Sequence, residues 1–173
     1  SEQRLGEGTE YIMDDETLTI EFHTDSIDSW ANGTNIVGVR VLLTYSEDET
    51  SNGLGCLVSG GDPQPDDIIG VVLHDDYNKT GSGQHDGQGS TSSHEIVIEW
   101  YNSSLIGDVN GVSEKEIHSQ LDAMEIGLGE YALDLTVEAE SGGSAGCQHS
   151  DDGEEVEYSI ELIILNYTVE KTS

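Results

Sequence analysis

The sequence predicts an all-β protein: an antiparallel β-sandwich, jelly-roll or immunoglobulin-like, with one short connecting helix. Three observations carry this expectation. Apolar residues recur at every second position in a series of short stretches, the spacing of half-buried strands. Turn residues (Gly, Ser, Asp and Asn) separate those stretches. A single segment departs from the two-residue period and shows helical spacing instead. The length, 173 residues, is that of one ordinary domain. We expect an extended arm at residues 1–9, one sandwich domain at 10–170, and a short tail at 171–173.

In chain order, "ETLTIEFHTD" turns Leu18, Ile20 and Phe22 to one face and Thr19, Glu21 and His23 to the other. "NIVGVRVLLTY" does the same with Val37, Val39, Val41, Leu43 and Tyr45 against Arg40 and Thr44. "DDIIGVVLHDD" is a short, nearly continuous apolar strand. "HEIVIEWYN" alternates through Ile96, Ile98 and Trp100, and "GEYALDLTVEAE" through Tyr131, Leu133, Leu135 and Val137. The last strand, "VEYSIELIILNYTVE", has the inward set Val156, Tyr158, Ile160, Leu162 and Ile164. The exception is "SEKEIHSQLDAMEIG". Ser113 and Glu116 form a capping box. Ile117, Leu121 and Met124 follow at helical spacing, which predicts a helix over 114–124 packed on the sheet or across one end.

Charge sets the environment. There are 36 acidic residues against 5 Lys plus Arg, for a net charge of −31. Such a chain repels itself at low ionic strength. Molar salt shortens the screening length to about 3 Å and removes much of that repulsion. The composition points to a salt-rich habitat or to neutralisation by bound divalent cations. It excludes a phosphate-binding footprint, so nucleic acid is not an expected partner. No apolar run approaches the length of a membrane span.

Cys56 and Cys147 both lie in Gly/Ser-rich sequence without metal-ligand spacing. They read as one disulfide, worth about 4–5 kcal/mol in the chain-entropy account of loop closure. Asn32, Asn78, Asn102 and Asn166 each begin an Asn-x-Ser/Thr acceptor. The first three fall in expected loops and Asn166 at a strand end. Together with the cysteines they point to an exported glycoprotein, extracellular or at the cell surface.

Two pairs of stretches, "VGVRVLLTY" with "DDIIGVVLHDD" and "GLGEYALDLTVEAE" with "DDGEEVEYSIELIIL", resemble the proprotein-convertase P domain and related secreted jelly-roll modules. Gly127, Gly129, Tyr131, Leu133 and Leu135 follow that family's G-x-G-x-W-x-L-x-V strand, with Tyr for Trp. Tyr158, Ile160 and Leu162 follow its final strand, and Asp67, Ile69 and Val71 its acidic-turn strand. "HDDYNKTG" stands where the family carries a Ser-Pro-x-Gly turn. The layout is also similar to acidic ectodomains of salt-loving or marine archaea. The resemblance implies an accessory sandwich, often calcium-stabilised, and no catalytic residue.

The acidic loops "MDDE", "SEDE", "GDPQPDD", "HDDYN" and "SDDGEE" gather oxygen ligands. Calcium takes about six to eight oxygens at roughly 2.3–2.6 Å, which Asp/Gly loops can supply. The candidate metal residues are Asp75 and Asp76, then Asp66 and Asp67 at the other end of the same strand, then Asp151 and Asp152. The bland alternative is a solvated acidic surface, and none of these loops has EF-hand spacing. His74, His85 and His94 lie near one another in sequence, but no H-x-H, H-E-x-x-H or C-x-x-C spacing supports zinc or copper. Acids are too abundant for any pair to mark a hydrolase. Trp30 is the candidate sugar-stacking ring; its alternative is a plug at the end of the sandwich.

The expected function is therefore a non-catalytic structural or interaction module of a salt-adapted microbe. Its partners would be copies of itself or other surface proteins, joined by strand addition with cation-dependent contacts. The alternative is a calcium-assisted carbohydrate-binding accessory module.

Overall fold

Alternation along the strands becomes two facing sheets. The computed structural model describes residues 1–27, 34–46, 50–52, 66–84, 91–139, 143–144, 147–150 and 152–171. In the first sheet β1 (Glu2–Met13), β11 (Gly153–Ile164), β3 (Ile36–Ser46) and β7 (Thr91–Glu99) lie side by side in that order. The second holds β2 (Thr17–His23), β8 (Glu130–Glu138), β5 (Asp67–His74) and β6 (Tyr77–Gln84). Every pairing is antiparallel. Counted along the chain, the eight sandwich strands run first-eighth-third-sixth and second-seventh-fourth-fifth. That order is the double Greek key of a jelly roll, not the immunoglobulin arrangement. A small three-stranded sheet of β4 (Thr50–Asn52), β10 (Cys147–Ser150) and β9 (Gly143–Ser144) lies outside the sandwich ladders.

The inward residues form one core. Val39, Val41 and Leu43 of β3 and Ile160 and Leu162 of β11 face Ile68 and Val72 of β5 and Leu133, Leu135 and Val137 of β8. All are fully buried, and each such side chain contributes about 1.5–3 kcal/mol relative to exposure. On one flank β6 runs alongside β7. On the other, β1 turns into β2 through Asp14, Asp15 and Glu16. Asp14 Oδ1 accepts a bond from the Ala139 amide at 2.8 Å, and the Asp15 amide donates to Val137.

Several expectations are corrected. Residues 1–9 are extended as expected, and Glu2 onward belongs to β1, laddered along β11 from Glu2↔Ile163 to Met13↔Gly153. The inward positions Gly6 and Gly8 carry no side chain because the Phe22 ring and the Tyr158 ring and hydroxyl occupy that space. β6 lies in sequence read as turn, and its inward Gly81 and Gly83 make room for Ile96 and for Tyr45 with His94. Asn78 is therefore on an exposed strand position, not in a loop. β11 starts at Gly153, ahead of the alternation. Glu155 and Glu157 face outward as expected, while Glu154 faces inward and is buried.

The helix, α1, spans Glu114–Leu121, with Ser113 Oγ accepting from the Glu116 amide as expected. It stops short of 124 because Asn35 intervenes. The Asn35 amide group donates to the Leu121 carbonyl at 2.7 Å, and its Oδ1 accepts from the Ala123 amide at 2.8 Å. Met124, expected to pack inward, has φ +54° and is 83% exposed.

Cys56, Trp30, Asn32 and Asp151 lie outside the described residues. Cys147 lies on β10, but its expected bridge depends on Cys56. Among the described residues no helix is long and apolar enough to cross a membrane.

Candidate functional site

The jelly-roll register sends the expected metal residues to opposite ends. Asp67 opens β5 with Asp66 directly before it, and Asp75 and Asp76 form the turn after it. About 25–30 Å separates the two pairs at a strand rise of about 3.3 Å per residue. Asp66 is fully buried, whereas Asp75 and Asp76 are exposed, Asp75 with φ +47°. Asp152 is exposed near the Asp66 end, where its carbonyl accepts the Asp14 amide at 3.1 Å. No group of three or more His, Cys, Asp or Glu that could hold a metal ion occurs among the described residues. Asn102 is exposed, and its side-chain oxygen caps the turn at Ser103–Leu105. Asn166 is exposed just past β11.

The end of the sandwich carrying the β5–β6 turn holds the most elaborate polar construction. There His74, the last residue of β5, is 1% exposed. Its ring stacks on Tyr131, centroids 3.9 Å apart and planes at 7°, and also meets Trp100 at 5.4 Å. Tyr77, opposite His74 in the β5–β6 register, also meets Trp100, with centroids 5.3 Å apart. Trp100 donates its indole N–H to Ile36 at 2.8 Å. His74 Nδ1 lies 2.8 Å from the Glu130 carbonyl and Nε2 2.5 Å from the Ile126 carbonyl. A carbonyl oxygen can only accept, so a neutral ring donates to one of these and the doubly protonated ring to both.

These bonds belong to a larger harness on the segment between α1 and β8. The Tyr131 hydroxyl, itself buried, donates to Gly127 at 2.8 Å. Burial, reinforced by the negative charge of Asp75, raises that hydroxyl well above the ordinary tyrosine range. Thr24 takes both sides of Gly129: its Oγ1 accepts from the amide at 2.9 Å and its own amide donates to the carbonyl at 3.0 Å. Gly127 has no room for a side chain, since an added Cβ would collide with Ile36. Ala123 is buried, while Met124, Ile126 and Leu128 are 83%, 40% and 46% exposed. Three large apolar side chains are thus held in water by a backbone tied down from the turn after β2, from β5 and β8, and from the segment before β3.

Beside this loop, a groove of about 870 Å³ runs between residues 105–113, α1 and the segment 167–171. Its wall is fastened by an exposed cluster. The Tyr167 hydroxyl donates to Asp122 Oδ1 at 2.6 Å and lies 2.6 Å from His118 Nδ1. Desolvation, then the bond to Asp122 and its charge, pushes Tyr167 up to about 12. The phenol thus fastens the groove wall through its bond to Asp122.

The outer face of the first sheet carries a second feature. Arg4 lies 3.4 Å from Glu161 and also pairs with Glu7; Arg40, opposite Glu161 in register, pairs with Glu2. Both arginines of the chain thus lie on this face. A shallow depression of about 270 Å³ on the same face is lined by Thr9, Leu42, Thr44 and Ser159 between Glu7 and Glu157.

The harnessed loop was missed in the sequence, although it left a trace. Met124, Ile126 and Leu128 occupy even positions, out of phase with the odd set from Tyr131 to Val137. The fold and these surfaces define a jelly-roll module with an acidic exterior and an apolar loop at one end. No protein-family model matches the chain, and no curated protein matches it at a significant level.

Proposed function

We propose that the chain is a non-catalytic structural or interaction module of a salt-adapted microbe. It acts outside the cell or on its surface and assembles with copies of itself or other surface proteins by strand addition. One observation carries this reading: β1 is the terminal strand of its sheet, paired only along β11 among the described residues. A terminal strand presents a row of backbone donors and acceptors that a neighbouring strand can take up. The bulge between Arg4 and Gly6 leaves a regular run from Gly6 to Met13. Tyr11 and Met13 on that run are both half exposed and would flank the new seam.

Charge opposes the contact at low salt, because Glu2, Glu7 and Glu10 of β1 would approach the acids of a neighbour. Dissolved salt or calcium between the copies removes the opposition. The test is light scattering across a salt series, in chelator and in millimolar calcium, with hydrogen exchange read at β1. Cation-dependent growth in mass with slowed exchange at β1 amides supports the reading. A constant mass, or assembly that leaves β1 exchange untouched, defeats it.

The carbohydrate alternative draws on the depression around Leu42. Its hydroxyls and flanking carboxylates match what a sugar edge hydrogen-bonds, and Leu42 gives an apolar floor. A glycan array run with and without calcium, comparing the wild type with Leu42→Asp, decides it: binding lost in the variant supports a sugar site, and an empty array removes it.

A further inference from the structure

We infer that the loop Met124–Leu128 is a docking epitope for a protein segment that presents apolar side chains within a basic rim. This surface is separate from the β1 edge and does not depend on strand addition.

The first argument is the cost of the arrangement. An exposed apolar residue alone is ordinary. Here three occur within five positions, in a chain that is otherwise strongly acidic. Concentrated salt of the excluded kind raises the penalty for wetting them. A slack loop would relax by folding these side chains back. This one cannot, because His74 bonds Ile126 and Glu130, Tyr131 bonds Gly127, Thr24 bonds Gly129, and Asn35 bonds Ala123. Met124 also sits in the left-handed region, which side chains other than glycine rarely adopt. Such a conformation persists where the surroundings over-determine it, and it occurs often at binding surfaces. A rigid apolar surface binds without an ordering cost in the loop.

Charge identifies the occupant. Asp122, Glu125 and Glu130 are exposed within or beside the loop. Asp75 and Asp76 follow His74, and Asp25 follows Thr24, so the elements that harness the loop add exposed acids around it. No lysine or arginine occurs in residues 122–130, 74–77 or 23–26. A second copy of the chain would bring one acidic rim against another. A partner with lysine or arginine around an apolar face meets both the centre and the rim of the patch.

Isothermal titration of the whole chain with an amphipathic Leu/Lys peptide tests this, with a Leu/Glu peptide of the same pattern as control. Three chains are compared: wild type, the triple variant Met124→Ser/Ile126→Ser/Leu128→Ser, and Asp75→Asn/Asp76→Asn/Glu125→Gln. Circular dichroism and unfolding midpoints verify that each folds. The wild type should bind the Leu/Lys peptide and not the Leu/Glu peptide. The serine variant should bind about tenfold or more weakly even in molar salt. The neutralised variant should lose most of the salt dependence of binding. Equal binding by wild type and serine variant would mean diffuse charge attraction and overturn the proposal. So would wild-type self-association that the serine substitutions abolish, which would make a second copy the occupant. Equal binding to anionic or zwitterionic vesicles, lost in the serine variant, would make the occupant a membrane and also overturn it.

Discussion

His74 and Tyr131 stack face to face, 3.9 Å between centroids, at the point where β5 and β8 leave the sandwich. The pair does two things at once. Stacking closes the end of the core, and the polar atoms of both rings reach the same stretch of backbone, Ile126 to Glu130. His74→Phe would keep a ring for the stack and delete both nitrogens. The carbonyl that takes the ring N–H would lose its donor in a dry pocket, at about 1–3 kcal/mol. Denaturant unfolding in molar salt should show a loss of about 1–3 kcal/mol. A loss below about 0.5 kcal/mol would mean that the loop is held without the histidine.

Gly153 governs how the acidic run enters β11. Its φ is +142°, and an added Cβ would collide with the Ile12 carbonyl and lie 2.6 Å from Met13 Cα. Gly153→Ala should therefore cost more than about 2 kcal/mol, through strain and through a displaced β1–β11 ladder. Hydrogen exchange should accelerate first at Ile12 and Met13. An alanine variant as stable as the parent would show that the β1–β11 ladder can shift at no cost.

Two tyrosines set an alkaline limit. Burial, with Asp75, raises Tyr131; desolvation, with Asp122, raises Tyr167 to about 12. In the unfolded chain both ionise near 10. Folding thus retains protons that the unfolded chain releases, so this stability is complete below about pH 10 and is lost as pH climbs through 12. Tyrosine absorbance should reveal a class that ionises only above the ordinary range, with unfolding. Tyr167→Phe should remove the part assigned to that residue. Simple titration of every tyrosine near 10, with the fold intact, would contradict it.

The central strands were legible because both facing surfaces are apolar at alternate positions, as in Tyr131–Val137 and Val156–Leu162. The flanking strands β1 and β6 were not. Their inward positions include Gly6, Gly8, Gly81 and Gly83, and the volume is filled by Phe22, Tyr158, Ile96, Tyr45 and His94 from other strands. A hydrophobic period cannot appear where the partner supplies the hydrophobic atoms. The helix start was written locally, in Ser113 and Glu116. Its end was written in Asn35, far away in the chain. The harnessed loop was obscure for the same reason: His74 and Thr24 reach it across the fold, and "HDDYN" alone reads as a calcium-type acidic loop or a solvated turn.

Arg4 and Arg40, paired with acids on β1 and β11, lie on strands, as Lys79 does, and Lys115 lies on α1. Lys171 is the one basic residue of the chain on backbone outside helix or strand. Proteases that cleave after lysine or arginine need locally unpaired chain. While folded, the molecule offers such a protease a single foothold, at Lys171. A clip there spares both sheets, so the fold withstands a tryptic environment by where it keeps its few cations.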